Sequence, residues 1–97
     1  MTATPTSVTL LSQADCSLCE HAKQVLARVA AEHPLQVIEI DLGSAAGHEL
    51  ALTGRVLFAP GVFLDGEPFS HGRLSERKLR RALAARQLSP PQFERKP

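Results

Sequence analysis

The stretch Val8-Thr9-Leu10-Leu11-Ser12-Gln13-Ala14-Asp15-Cys16-Ser17-Leu18-Cys19-Glu20-His21-Ala22-Lys23 changes its period halfway along. Val8 to Ser12 is a short β-branched and aliphatic run suited to a buried strand, and it ends in the polar segment Gln13-Ala14-Asp15. From Cys16 onward Leu18, Cys19, Ala22, Val25, Leu26 and Val29 recur at helical spacing, while Glu20, His21, Lys23, Gln24 and Arg28 fall off that stripe. A strand running into a helix therefore carries Cys16-Ser17-Leu18-Cys19 at the junction. The helix is predicted to run to about Glu32, because Pro34 bars its continuation.

Downstream, Gln36 to Leu42 alternates polar and apolar as a strand does, and its connection through a helix makes it parallel to the first strand. Ala45, Ala46, Leu50 and Ala51 after Ser44 predict a second helix to Thr53, with Ser44 as its cap and Gly54 as its stop. Gly61-Val62-Phe63-Leu64, the turn signal Asp65-Gly66 and Pro68-Phe69-Ser70-His71 predict an antiparallel hairpin. Ser75 then caps a last helix with Glu76 in its first turn and Leu79, Ala82 and Leu83 on its apolar face. The order βαβαββα gives an α/β fold, a mixed four-stranded sheet flanked by three helices.

The 97 residues suffice for one domain spanning 1–97, with its core at about 8–88. Pro90-Pro91 excludes helix beyond Leu88 and predicts a loose tail at 89–97. A content of 43% hydrophobic and 22% charged residues excludes a wholly disordered chain. No apolar run approaches the roughly 20 residues of a membrane span, and Met1 to Ser7 lacks the regions of a signal peptide. The expectation is a cytoplasmic monomer that binds no membrane. Thiols stay reduced there, which favours a catalytic, redox-sensing or metal-binding role for a cysteine pair over a structural one.

Residues 55–97 hold nine Lys or Arg against four Asp or Glu, whereas residues 1–54 hold two against six. Arg77, Lys78, Arg80, Arg81 and Arg86 concentrate that charge on the last helix. A solvated face is the expectation, and without an interleaved aromatic residue no nucleic-acid partner is expected.

At the first turn of a helix several backbone N–H groups lack an intrahelical partner, and with the helix dipole they favour a thiolate at Cys16. Such surroundings lower a cysteine pKa from about 8.5 to roughly 3.5–7.5. Asp15 works mildly against this, as an adjacent carboxylate does. Cys19 is three residues on, within reach of a disulfide, and the apolar stripe passes through it but begins beyond Cys16. The first sulfur should therefore be exposed and attacking, the second buried and resolving. A closed zinc site would need two more ligands, and His21, His33, His48 and His71 show no paired spacing. His21, His33 and His48 are expected to be solvated surface residues.

Strand, Cys-x-x-Cys, helix, strand, helix, then Pro60 opening a Gly-Val-Phe-Leu-Asp-Gly hairpin and a glycine before the last helix resembles the glutaredoxins and glutaredoxin-like proteins of the thioredoxin fold over about residues 8–88. The resemblance implies a thiol–disulfide oxidoreductase with Cys16 and Cys19 as catalytic pair and no bound cofactor. It also implies that Pro60 is a cis proline facing the cysteines and that the backbone of Ala59 pairs with an extended thiol substrate. Gly72 would match the glycine near which glutaredoxins hold one end of glutathione, with His71 and Arg73 bordering the site and Arg73 a carboxylate partner. The implied partner is a disulfide-bearing protein or a small thiol, with glutathione or another low-molecular-weight thiol as co-substrate. Glutathione-using members usually carry Pro-Tyr between the cysteines, where this chain has Ser17-Leu18, and Cys-Asp after the glycine, where it has Arg73-Leu74. Two alternatives stay open: a non-enzymatic adaptor or redox-sensing module, and a metal or iron–sulfur carrier using the same two thiolates.

Overall fold

Strand β1 (Thr6–Ser12) has neighbours on both sides. It pairs in parallel with β2 (Leu35–Asp41) and antiparallel with β3 (Gly61–Leu64), and β3 pairs antiparallel with β4 (Glu67–His71), giving the order β2-β1-β3-β4. Helix α1 (Ser17–Ala30) joins β1 to β2, α2 (Ala45–Gly54) joins β2 to β3, and α3 (Glu76–Leu88) follows β4. The expected mixed four-stranded α/β architecture with three helices is thus the observed one. The computed structural model describes residues 4–88; the tail expected at 89–97 lies outside the described residues.

One face of the sheet makes the main core. The cross-strand neighbours Val8–Leu64 and Leu10–Val62 point the same way and meet Ala22, Val25, Leu26 and Val29 of α1 and Leu79 and Leu83 of α3. Each buried Val or Leu among them contributes about 1.5–3 kcal/mol, so the helical stripe legible in the sequence is what seats α1 on the sheet. Leu74, in the loop before α3, joins this core at 1% exposure. On the opposite face Leu11 and Phe63 are buried, and Gly61 lies so close to Val56 that an added Cβ would sit 2.9 Å from a methyl group.

The hairpin turn takes positive φ at both Asp65 (50°) and Gly66 (84°), as a two-residue turn matched to strand twist requires. Asp65 ties this turn to the first strand: its N–H donates to the Ser7 carbonyl and its Oδ1 accepts from the Ser7 N–H. Pro68 sits on the outer strand β4, where a missing N–H is tolerated, beside a register shift at Val62–Phe63.

Several expectations change. β1 starts at Thr6 instead of Val8, because the Thr6 N–H finds the Pro34 carbonyl at 3.0 Å. α1 stops at Ala30, and the next residues close it with turn bonds from His33 N–H to the Val29 carbonyl. α2 does not stop on Gly54: the left-handed residue is Arg55 (φ 57°), and Gly54 is the last helical residue. Its lack of a side chain serves packing, since a Cβ there would lie 2.6 Å from the Phe63 ring. β2 does not bury one face as its alternation implies; Val37 is 45% and Ile38 49% exposed. It is an outer strand, and Ala27 and Ala30 of α1 are too short to cover Val37, leaving a shallow apolar groove.

Gly54→Ala sets a gain in helix propensity of about 1 kcal/mol or less against overpacking of a buried ring at about 1–3 kcal/mol. Overpacking dominates because Phe63 is only 2% exposed and has nowhere to go. Urea unfolding of Gly54→Ala is expected to show a loss of about 1–2 kcal/mol, and an unchanged midpoint would refute the packing role.

Candidate functional site

The sheet register collects the site. Because β3 runs antiparallel to β1 with Leu11 opposite Gly61, the chain entering β3 arrives at the end of the sheet where β1 leaves. Gly61 also faces His71, so the exit of β4 comes to the same end. Three segments far apart in sequence meet there: 13–19, 58–60 and 71–73.

Within the first, Asp15 adopts a left-handed conformation (φ 53°), which an aspartate tolerates better than most residues, and turns the chain into α1. Cys16 is the N-cap: its backbone is extended, its carbonyl accepts from the Cys19 and Glu20 N–H groups, and its sulfur accepts from the Cys19 N–H at 3.1 Å. Cys16 and Cys19 are joined in a disulfide with a Cα–Cα distance of 5.2 Å. Cys16 is partly exposed, whereas Cys19 is 1% exposed and belongs to the buried face of α1. Cys16 thus reaches solvent in part, and Cys19 is packed below it.

In the second segment the Ala59–Pro60 peptide bond is cis. Ala59 is 6% exposed and Pro60 is fully buried. The Pro60 carbonyl accepts from the Gly72 N–H at 2.8 Å, joining this loop to the third segment, while the Ala59 N–H and carbonyl have no partner among the described residues. Gly72 is buried with φ +82°, a conformation that disfavours other residues. His71 and Arg73 on either side are exposed. All seven residues singled out from the sequence, Cys16, Cys19, Ala59, Pro60, His71, Gly72 and Arg73, therefore lie at one end of the sheet.

Sequence reasoning passed over Phe58. Its ring meets His71 edge-on at 5.4 Å and covers Gly72, yet it remains 53% exposed. Its place directly before Ala59-Pro60 was the only available signal. The histidines also differ from expectation: His48 is exposed, but His21 and His33 are half-buried, each with an Nδ1 that is buried and lacks a hydrogen-bond partner. The reason is tertiary, since α3 and its lead-in cover the side of α1 that bears His21.

Below the disulfide, the buried Ser12 hydroxyl donates to the Glu39 carboxylate, which also pairs with Lys23 at 3.0 Å. Lys23 reaches Glu20 as well, so β1, β2 and α1 are tied just behind the cysteines. The Ser12 hydroxyl, and after it Lys23, holds the Glu39 carboxyl below its ordinary value of 4.5. Among the described residues no group of three or more His, Cys, Asp or Glu side chains is placed to hold a metal ion, and no helix is long and apolar enough to cross a membrane.

A cysteine pair capping the first helix of a βαβαββα sheet, beside a cis-proline loop, defines the thioredoxin-like class. Within it, residues 7–84 match the model of the glutaredoxin-like domain (DUF836), and the chain belongs to that family. The fold is similar to a mutant thioredoxin from Halobacterium salinarum NRC-1, with a TM-score of 0.68 and 21% identity over 89% of this chain and 78% of that one. A thioredoxin-like protein from Clostridium perfringens, solved in solution, gives a TM-score of 0.68 at 14% identity over 94% and 78% of the two chains. Glutaredoxin 1 from Francisella tularensis, in complex with cacodylate, gives 0.47 at 23% identity over 86% and 96%. No curated protein sequence matches the chain.

Two predictions come from this geometry. In the reduced protein, iodoacetamide should alkylate Cys16 at least about tenfold faster than Cys19, read by mass spectrometry of quenched samples; equal rates would contradict the burial difference. The folded-state depression of Glu39 means its contribution to stability is complete above the ordinary carboxyl value of 4.5 and is lost as pH falls through the lower folded value. Ser12→Ala should move the Glu39 carboxyl titration upward toward 4.5 without reaching it, because Lys23 remains; a carbon-detected NMR titration that shows no shift would dismiss the serine as cause.

Proposed function

We propose that the chain is a thiol–disulfide oxidoreductase working by two-step exchange. The Cys16 thiolate attacks one sulfur of a substrate disulfide, forming a Cys16–substrate mixed disulfide and releasing the other sulfur as a thiolate that takes a proton. The Cys19 thiolate then attacks the Cys16 sulfur, releasing the second substrate thiol and leaving the Cys16–Cys19 disulfide. The substrate has gained two electrons and the protein has lost two. A thiol reductant, glutathione or another low-molecular-weight thiol, restores the dithiol by the same chemistry.

The observation that supports this reading is the pair itself, with a partly exposed Cys16 capping α1 and a Cys19 that is 1% exposed three residues deeper. The sulfur that must meet a substrate is the accessible one, and the sulfur that must wait for the mixed disulfide is shielded. The Cys19 N–H directed at the Cys16 sulfur stabilises negative charge there when the bond opens. The free backbone groups of Ala59 fit an extended substrate segment laid across the loop. His71, Gly72 and Arg73 border the same end, and the reading places the protein as a monomer in the reducing cytoplasm.

Cys16→Ser is expected to abolish turnover of a disulfide substrate, and Cys19→Ser to retain the first attack and accumulate mixed disulfides resolvable on a non-reducing gel. Undiminished turnover in both variants would overturn the mechanism. Tight, redox-independent partner binding with no turnover would instead support an adaptor.

A further inference from the structure

The sheet ends in two outer strands, and they are guarded differently. On one side β4 spans only five residues, contains Pro68, which has no N–H to offer, and carries a register shift against β3 at Val62–Phe63. Each of these features discourages a further strand. On the other side β2 runs seven residues in unbroken register with β1, and its sequence contains no proline, glycine or lysine. Its mid-strand charge is already matched, since Glu39 meets the Ser12 hydroxyl and Lys23.

The direction of the free backbone follows from the parallel ladder. The Thr6 N–H donates to the Pro34 carbonyl and the Leu42 N–H to the Ser12 carbonyl, so the even-numbered residues of β2 face β1. Leu35, Val37, Glu39 and Asp41 therefore turn their N–H and carbonyl groups away from the sheet. The Asp41 carbonyl is taken, accepting from the Ser44 N–H at 3.0 Å and from the Ser44 hydroxyl at 2.7 Å. Leu35, Val37 and Glu39 keep outward groups that have no partner among the described residues. The edge is apolar as well: Val37 is exposed beside a groove lined by Leu26, Ala27 and Ala30, and Ile38 is exposed on the other face of the sheet.

We infer that β2 pairs antiparallel with β2 of a second copy of this chain, about a two-fold axis at Val37, joining the two four-stranded sheets into one. A two-fold interface must be self-complementary, and one register meets that demand. With Val37 opposite Val37, Leu35 stands opposite Glu39, and every free N–H and carbonyl on the two edges finds a partner. Centred on Ile38, the ladder would need the Asp41 carbonyl that Ser44 holds. Centred on Gln36, it would need the His33 N–H, which donates to the Val29 carbonyl. The Val37 register also sets the two exposed valines against each other and brings Ile38 diagonal to Ile38, so both apolar residues are covered. It opposes no like charges, and it places the exposed Asp41 of each copy level with His33 of the other. Ala27 and Ala30 carry only a methyl each, which leaves room for the second copy's α1. Because the strands run in opposite directions, the two Cys16 ends lie at opposite ends of the joined sheet. The single copy remains the unit of thiol exchange, and the pairing does not rest on the oxidoreductase reading.

Sedimentation equilibrium of the oxidised full-length protein from about 5 to about 500 µM is expected to move from the mass of one copy toward that of two. Cys16→Ser/Cys19→Ser should behave alike, which separates strand pairing from a disulfide between copies. Amide hydrogen exchange locates the contact: between the dilute and the concentrated sample, Leu35, Val37 and Glu39 should gain protection relative to Gln36, Ile38 and Ile40, which are already bonded to β1. Val37→Lys sets like charges on the axis and should weaken association at least about tenfold, whereas Leu52→Lys, at an exposed apolar position of α2, should leave it unchanged. An unaltered circular dichroism spectrum shows that the Val37 variant is folded. A single-copy mass at about 500 µM overturns the inference and leaves the edge to a strand of another protein. Association that survives Val37→Lys, that vanishes without the cysteines, or that protects residues other than 35, 37 and 39 overturns it equally.

Discussion

The antiparallel pairing of β3 with β1 is the constraint on which the site depends. Leu11 stands opposite Gly61, so the chain leaving β1 toward Cys16 and the chain entering β3 from Pro60 must share one end of the sheet. Val8–Leu64 and Leu10–Val62, neighbours in the same pairing, are buried against α1 and α3, and a slip of one residue would turn them to the wrong face. The burial that holds the fold and the register that builds the site are therefore the same fact. The Gly72-to-Pro60 hydrogen bond extends this order to the third segment without a side chain.

Cys16 has a double role. As N-cap of α1 it accepts the Cys19 N–H through its sulfur, a place taken in most helices by a serine, threonine or aspartate oxygen. A neutral sulfur is a weak acceptor and a thiolate a better one, so under the proposed exchange mechanism the cap and the attacking sulfur reinforce each other when the disulfide is open. Among the described residues no charged side chain is hydrogen-bonded to either sulfur. The helix start, with its unpaired N–H groups, is the local source of positive potential.

The arginines of α3 divide by tertiary position. Arg80 and Arg86 do not simply face water: the first bridges Glu76 and Glu32, and the second reaches Asp65 in the hairpin turn. These pairs are largely exposed and contribute little individually, but they orient α3 against α1 and the turn. Their consequence is to neutralise Glu76, whose carboxyl is held below its ordinary value by Arg28 and then Arg80. Arg77, on the same helix, has no ion-pair partner among the described residues.

The amino-acid sequence by itself determined the element order, the cysteine junction, the Asp65-Gly66 turn and the buried stripe of α1, because periodicity, turn chemistry and capping act over a few neighbouring residues. The seven candidate residues were singled out there too, two from their spacing and five from the family resemblance, and the sheet register brings them to one end. Only the tertiary structure decided that Arg55 and not Gly54 takes the left-handed position, that β2 leaves Val37 and Ile38 exposed, and that Phe58 lies over Gly72. It also decided that His21 turns a buried nitrogen inward on the seam with α3. Each of these depends on which element lies across from a residue, and no local pattern encodes what a distant segment brings to within contact distance.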